Sequence, residues 1–159
     1  MMHPIFNDIF AVGPEVMLAV GSMALMMIGV LGRGGALKPV AGLSVVLWLA
    51  VAGLVCMSGG GETARAFNDM LVLDNFGRFL KIMIAGGSTA ALLLAVAVLE
   101  KTTMARFEYP VLMGFSTLGM FLMVSANDLL SLYVGLELSS LSLYVLAAFD
   151  RNSTRASEA

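Results

Sequence analysis

The sequence predicts an all-α fold, a polytopic transmembrane helix bundle of about five spans, and three features carry that reading: hydropathy, segment length and one carboxylate inside an apolar run. Hydrophobic residues make up 59% of the 159 and charged ones 13%, with a mean hydropathy of +0.93. A soluble domain is about a quarter charged, so this chain is an integral membrane protein. Apolar runs recur at lengths that cross a hydrocarbon core of about 30 Å at about 1.5 Å per residue. The chain forms one membrane domain, 1–159, with no room for a separate soluble one. The net charge of -2 decides little, because in a membrane protein the placement of Lys and Arg matters. The single cysteine, Cys56, lies in an apolar run, which excludes an internal disulfide and a cysteine metal site. Thirteen Met and seventeen Gly read as packing residues for close helix contacts.

Residues 1–13 hold no Lys or Arg and so lack the positive segment of a secretory signal, and the lone His3 lies near the terminus. The first span is expected at 14–31, with Pro14 in its first turn. Glu15 then sits where a carboxylate favours the helix dipole, as a surface anchor. A turn with Arg33 and Lys38 leads to the second span, 40–58. The polar stretch 59–78 opens with three glycines, but no GK[ST] follows, so it is not a phosphate loop. Within it the apolar 70–73 is expected to pair as a short strand at the membrane surface. The third span is expected at 79–99, with Lys81 close enough to its end to snorkel into water. Its GGST, 86–89, suggests close packing or a local break. After a loop with Lys101 and Arg106 the fourth span covers 109–125, where Ser116 and Thr117 can bond their own backbone or a neighbour. Asn127 and Asp128 make a tight turn into the fifth span, 128–149, and a polar tail follows.

The fifth span organises the reading. It carries Glu137 near its middle, where a charge costs about 2.5 to 3.5 kcal/mol on insertion scales, while each Leu, Val or Phe returns only about 0.3 to 0.6. Tyr133, Glu137, Ser140 and Tyr144 step by helical intervals and share one polar face. Roughly opposite runs a ridge of small residues, Ser131, Gly135, Ser139 and Ser142, of the kind that lets another helix approach closely. Both faces want protein neighbours, so the helix is expected inside a bundle. Glu137 is then either a neutral structural residue bonded across helices or a carrier of protons or ions, with Tyr133, Ser140 and Tyr144 as supporting polar residues.

Orientation follows from basic residues. With the N-terminus outside, the inner loops hold Arg33, Lys38, Lys101, Arg106, Arg151 and Arg155, and the outer ones hold Arg65, Arg78 and Lys81. No metal-binding cluster, nucleophile–base pair, dinucleotide fingerprint or basic nucleic-acid patch occurs. Serines such as Ser140 have no histidine in reach to activate them and read as contacts between helices.

At ANDLLSLYVGLELSSLSLYVLAAFDRNSTRASEA the chain closely resembles the start of the antiporter-like core of subunit N of respiratory complex I, the proton-translocating NADH:quinone oxidoreductase, in its bacterial form. The upstream LVLDNFGRFLK adds to the resemblance, which extends over all 159 residues. It implies the start of an antiporter-like inverted-repeat fold, with five-helix repeats after a leading group of three. It also implies a buried Glu on the fifth helix, in the proton pathway, paired with a lysine on the seventh. Glu137 matches that acid. The lysine has no counterpart, because the sequence stops before a sixth helix, and Ala159 is expected to be an arbitrary end. The implied location is the bacterial inner membrane, or alternatively the mitochondrial one, among other membrane subunits of complex I and lipid. NADH, flavin, iron–sulfur clusters and quinone are implied in partner subunits, with no cofactor, metal or nucleic acid on this chain. Two other readings stay open: a subunit of a multi-subunit cation/proton antiporter, and a non-conducting assembly element.

Overall fold

The computed structural model describes residues 12–32, 37–57, 64–99 and 107–148. Expectations placed on His3, the basic residues Arg33, Lys101, Arg106, Arg151 and Arg155, and the tail lie outside these. In lipid an unpaired backbone N–H or C=O costs several kcal/mol, so an apolar run must close its hydrogen bonds within itself. Five described segments do so as helices: α1 (Gly13–Leu31), α2 (Leu37–Met57), α3 (Asn75–Leu99), α4 (Glu108–Ser125) and α5 (Leu129–Ala147). Each is long and apolar enough to cross a membrane. Pro14, Pro39 and Pro110 all fall in a first turn, where a missing N–H breaks no helical bond.

The helix limits lie close to the expected spans, with the largest difference at the start of α3. Asp74 Oδ1 accepts the Gly77 N–H at 2.7 Å, a side-chain cap that begins the helix at Asn75 rather than at 79. The GGST within α3 neither breaks the helix nor packs tightly at its glycines. The helix is continuous, and a Cβ on Gly86 or Gly87 would meet nothing within 4 Å.

Between α2 and α3, β1 (Ala64–Ala66) pairs antiparallel with β2 (Leu71–Leu73), so the expected short strand finds its partner within the same loop. Phe67, Asn68 and Asp69 turn the hairpin with φ of 53°, 56° and 69°, a left-handed conformation that non-glycine residues rarely adopt. The turn is held from outside. Asn127 Nδ2 donates to the Asp69 carbonyl at 2.8 Å, and Asn127 N–H donates to the Met70 carbonyl at 2.9 Å. Leu71 also bridges to Ala126, so the hairpin is fastened to the connection between α4 and α5.

The centre of the bundle is α4, which packs against each of the other four helices. Half of its apolar 18-residue stretch is buried, against 17% of that of α5. Trp48, Phe121, Leu18 and Leu92 fill the interior between α1, α2, α3 and α4. Leu31, Met57, Leu94 and Leu129 point outward, as apolar side chains can in lipid, where burying them against protein brings no hydrophobic gain. In this chain α5 lies at the edge, with α4 as its main neighbour. Of the small-residue ridge, Gly135, Ser139 and Ser142 are buried within this chain, and Ser131 and Glu137 are half-buried.

Candidate functional site

Asp128 starts α5 by accepting the Ser131 N–H at 2.7 Å, which satisfies one of the first-turn donors. From there Gly135, Ser139 and Ser142 form the buried stripe against α4. The approach is close enough that a Cβ on Gly119 would lie 2.6 Å from the Gly135 carbonyl oxygen and 2.6 Å from the Ser139 nitrogen. Ser116 Oγ and Ser139 Oγ, 3.1 Å apart, share a hydrogen bond across this seam. Thr117 Oγ1 lies 2.9 Å from Ser88 Oγ and 2.8 Å from the Met113 carbonyl, so it reaches a neighbouring helix and its own backbone together.

This seam sets the direction of Glu137. Its Cα is eight residues into α5, about 12 Å along the axis, and its half-buried side chain lies on the open side. Tyr133 stands one turn earlier on the same helix. The Ser140 hydroxyl donates to the Glu137 carbonyl at 3.2 Å, within the same helix, and not to its carboxylate. Ser140 was expected to join helices, but Ser139 does so. Tyr144 is 69% exposed and Tyr133 61%. Among the described residues Glu137 has no ion-pair partner.

A second carboxylate is more deeply placed. Glu15 is 4% exposed and Lys81 3%, and Lys81 Nζ donates to Glu15 Oε1, joining α1 to α3. Ser125, the last residue of α4, donates to the same oxygen at 3.3 Å. Glu15 Oε2 is buried without a hydrogen-bond partner. Both expectations for these residues are overturned: Glu15 is no surface anchor, and Lys81 does not snorkel. Each faces inward on a buried stripe of its own helix, Glu15 with Leu18, Ser22 and Leu25, and Lys81 with Gly77, Ala85 and Ser88. Val12, one turn before Glu15, clusters with Ala66 and Leu71, so the hairpin packs on the same end of the bundle.

Among the described residues no group of three or more His, Cys, Asp or Glu side chains could hold a metal ion. What the arrangement offers chemically is two carboxyl groups able to carry protons, one on an open helix face and one in an ion pair.

No family model matches the chain. It is 46% identical over 152 residues to NADH-quinone oxidoreductase subunit N of Paramagnetospirillum magneticum, covering 96% of this chain and 31% of that protein. The subunit N of Maricaulis maris is 47% identical over 156 residues, again 96% of this chain and 32% of the relative. Subunit N 1 of Rhizobium meliloti is 47% identical over 147 residues, 92% of this chain and 30% of the relative. The chain thus spans about a third of the length of these curated relatives. Among solved structures, a chain of respiratory complex I from Thermus thermophilus with bound aureothin superposes with a TM-score of 0.70, at 24% identity, over 84% of this chain and 28% of that one. That likeness concerns the fold.

Proposed function

We infer that this chain, a member of the NADH-quinone oxidoreductase subunit N family, serves in the membrane arm of complex I, in proton translocation coupled to NADH oxidation and quinone reduction. It sits in the bacterial inner membrane beside other membrane subunits, and the redox groups belong to partner subunits. The observation that carries the reading is Glu137, a carboxyl group at mid-span on the open face of the edge helix. A charge at that depth is costly unless something outside these helices meets it, and intramembrane acids of this kind mark proton and ion pathways.

Mechanistically, Glu137 binds and releases a proton as a neighbouring positive charge comes and goes. An adjacent cation favours the carboxylate and its withdrawal favours the acid, so charge moving along the membrane plane loads and unloads the site.

Glu137→Gln keeps the shape and removes the titratable proton. The expected outcome is an assembled complex that still oxidises NADH but moves fewer protons per electron. An unchanged proton-to-electron ratio would sink the role of Glu137.

A further inference from the structure

We propose that the groove between α2 and α3, at the end of the bundle away from the hairpin, holds one anionic phospholipid, with an acyl chain between the helices and the phosphate on Lys38. The inference goes beyond proton translocation and does not depend on Glu137. The groove measures about 300 Å³ and is walled by Gly42 and Val45 of α2 and by Leu93 and Val96 of α3. Ala41 and the fully buried Leu92 close its floor. Among the described residues Lys38 is the one charged group that lines it.

Width selects the occupant. From Lys38 to Val45 the groove runs about 10 Å at about 1.5 Å per residue, which leaves a cross-section of about 30 Å². A helix, about 10 to 12 Å across with its side chains, takes about three times that area, whereas an unbranched hydrocarbon chain fits. Gly42 opens the α2 wall, since a Cβ there would meet nothing within 4 Å. The length is about two thirds of one leaflet's share of a hydrocarbon core about 30 Å thick. Beside the groove Val46 and Leu49 of α2 and Leu94 and Val98 of α3 are all more than half exposed, so it opens among apolar side chains that suit lipid.

Charge selects the headgroup. Lys38 lies in the first turn of α2, where the helix end is itself partly positive and a cation is disfavoured. No acidic residue shares that turn. An anion from outside the bundle answers both charges at once, and an ammonium with three N–H donors binds a phosphate oxygen alongside its contact within the chain. Glu108, in the first turn of α4 at the same end, is not part of the lining. Depth agrees with charge. With the N-terminus outside, Lys38 stands at the cytoplasmic leaflet, where basic sites between transmembrane helices meet acidic headgroups, and the groove descends from it into the hydrocarbon.

The test is photo-cross-linking in the assembled complex, held in nanodiscs of phosphatidylglycerol and phosphatidylcholine in equal amounts. In a Cys56→Ser background, Val46→Cys carries a benzophenone maleimide one turn beyond Gly42, outside the groove's walls, and mass spectrometry of the peptide bearing position 46 identifies what it joins. The expected result is an excess of phosphatidylglycerol over phosphatidylcholine of about fivefold, the preference one lysine confers at a membrane surface. Lys38→Gln, which removes the charge, and Gly42→Leu, which fills the groove and keeps the charge, should each bring the two lipids to equal yield. Equal yields in the parent protein overturn the site, since they mark ordinary bilayer contact, and so does an excess that Lys38→Gln leaves unchanged. Cross-linking to a protein segment in place of lipid also overturns it, because a neighbouring subunit then covers the groove. Should Lys38→Gln not assemble, Gly42→Leu decides: loss of the excess supports the site and its persistence overturns it.

Discussion

Lys81 shows what burial does to a residue whose sequence position suggests a surface. Its neighbours on the same stripe are Gly77, Ala85 and Ser88, a run of small residues at steps of four and three. Such a stripe faces protein in a membrane helix, a signal that the expectation of a snorkelling Lys81 passed over. Its partner was not legible, because Glu15 lies 66 residues away and only the tertiary fold brings the two together. Removing one member of a buried pair leaves the other uncompensated, at a cost of about 3 to 5 kcal/mol, while replacing both is often close to neutral. Lys81→Met should therefore lower thermal stability sharply, and Glu15→Gln with Lys81→Met should recover most of it. Independent, additive losses in the double variant would mean that the pair is not a unit. Asp128 behaves differently, being at a helix start. Donation from the Ser131 hydroxyl, and then from the Ser131 N–H, holds its carboxyl below the usual aspartate range. A depressed folded pKa means that the cap stabilises α5 above the ordinary aspartate pKa of about 3.9 and is lost as pH falls through the lowered value. Protection against hydrogen exchange at the first amides of α5, taken relative to the intrinsic rate at each pH, should fall on acidification, and Asp128→Asn, which still caps, should abolish that acid dependence.

At the scale of elements, the ridge Gly135, Ser139 and Ser142 could be read from spacing, but the helix that receives it could not. The missed signal was hydropathy. The stretch in α4 averages 1.2, the lowest of the five, against 2.4 in α2, because Gly114, Ser116, Thr117 and Gly119 interrupt it. A span with so many small and hydroxyl residues gains by facing other helices on all sides, where its hydroxyls find partners. Within this chain Glu137 lies on the side of α5 away from the buried stripe of Gly135, Ser139 and Ser142. The seam between α4 and α5 makes a sharp prediction. In Gly119→Ala the new Cβ meets backbone atoms of α5 at 2.6 Å, which no side-chain rotation can relieve, so the helices must part. Overpacking of this kind costs about 1 to 3 kcal/mol. Gly86→Ala is the control, since its Cβ enters open space and alanine favours helix by up to about 1 kcal/mol. Thermal unfolding should show the first variant less stable and the second equal or better, and equal behaviour of both would contradict the close seam.

For the whole molecule, class and span positions followed from composition and run length, because lipid leaves a chain of this hydropathy no other way to satisfy its backbone. The order of packing did not follow, since it depends on which small residues meet. The sidedness of the bundle can be argued further with the structure than without it. The first residues of α1, α3 and α5 share one end with the hairpin, fastened there by Val12, Ala66, Leu71 and Ala126. The expected topology puts that end outside, with Arg65, Arg78 and Lys81 against six basic residues inside. Lys81 is neutralised by Glu15 within the bundle and does not act as a loop charge. The balance is then Arg65 and Arg78 against the same six, which strengthens the N-outside orientation. Asn68, exposed in the hairpin turn, is the place to test it. With Cys56→Ser as background, a cysteine at position 68 should react with a membrane-impermeant maleimide from the periplasmic face of intact cells. Labelling only after the inner membrane is opened would invert the bundle and place the Glu15–Lys81 pair at the cytoplasmic side.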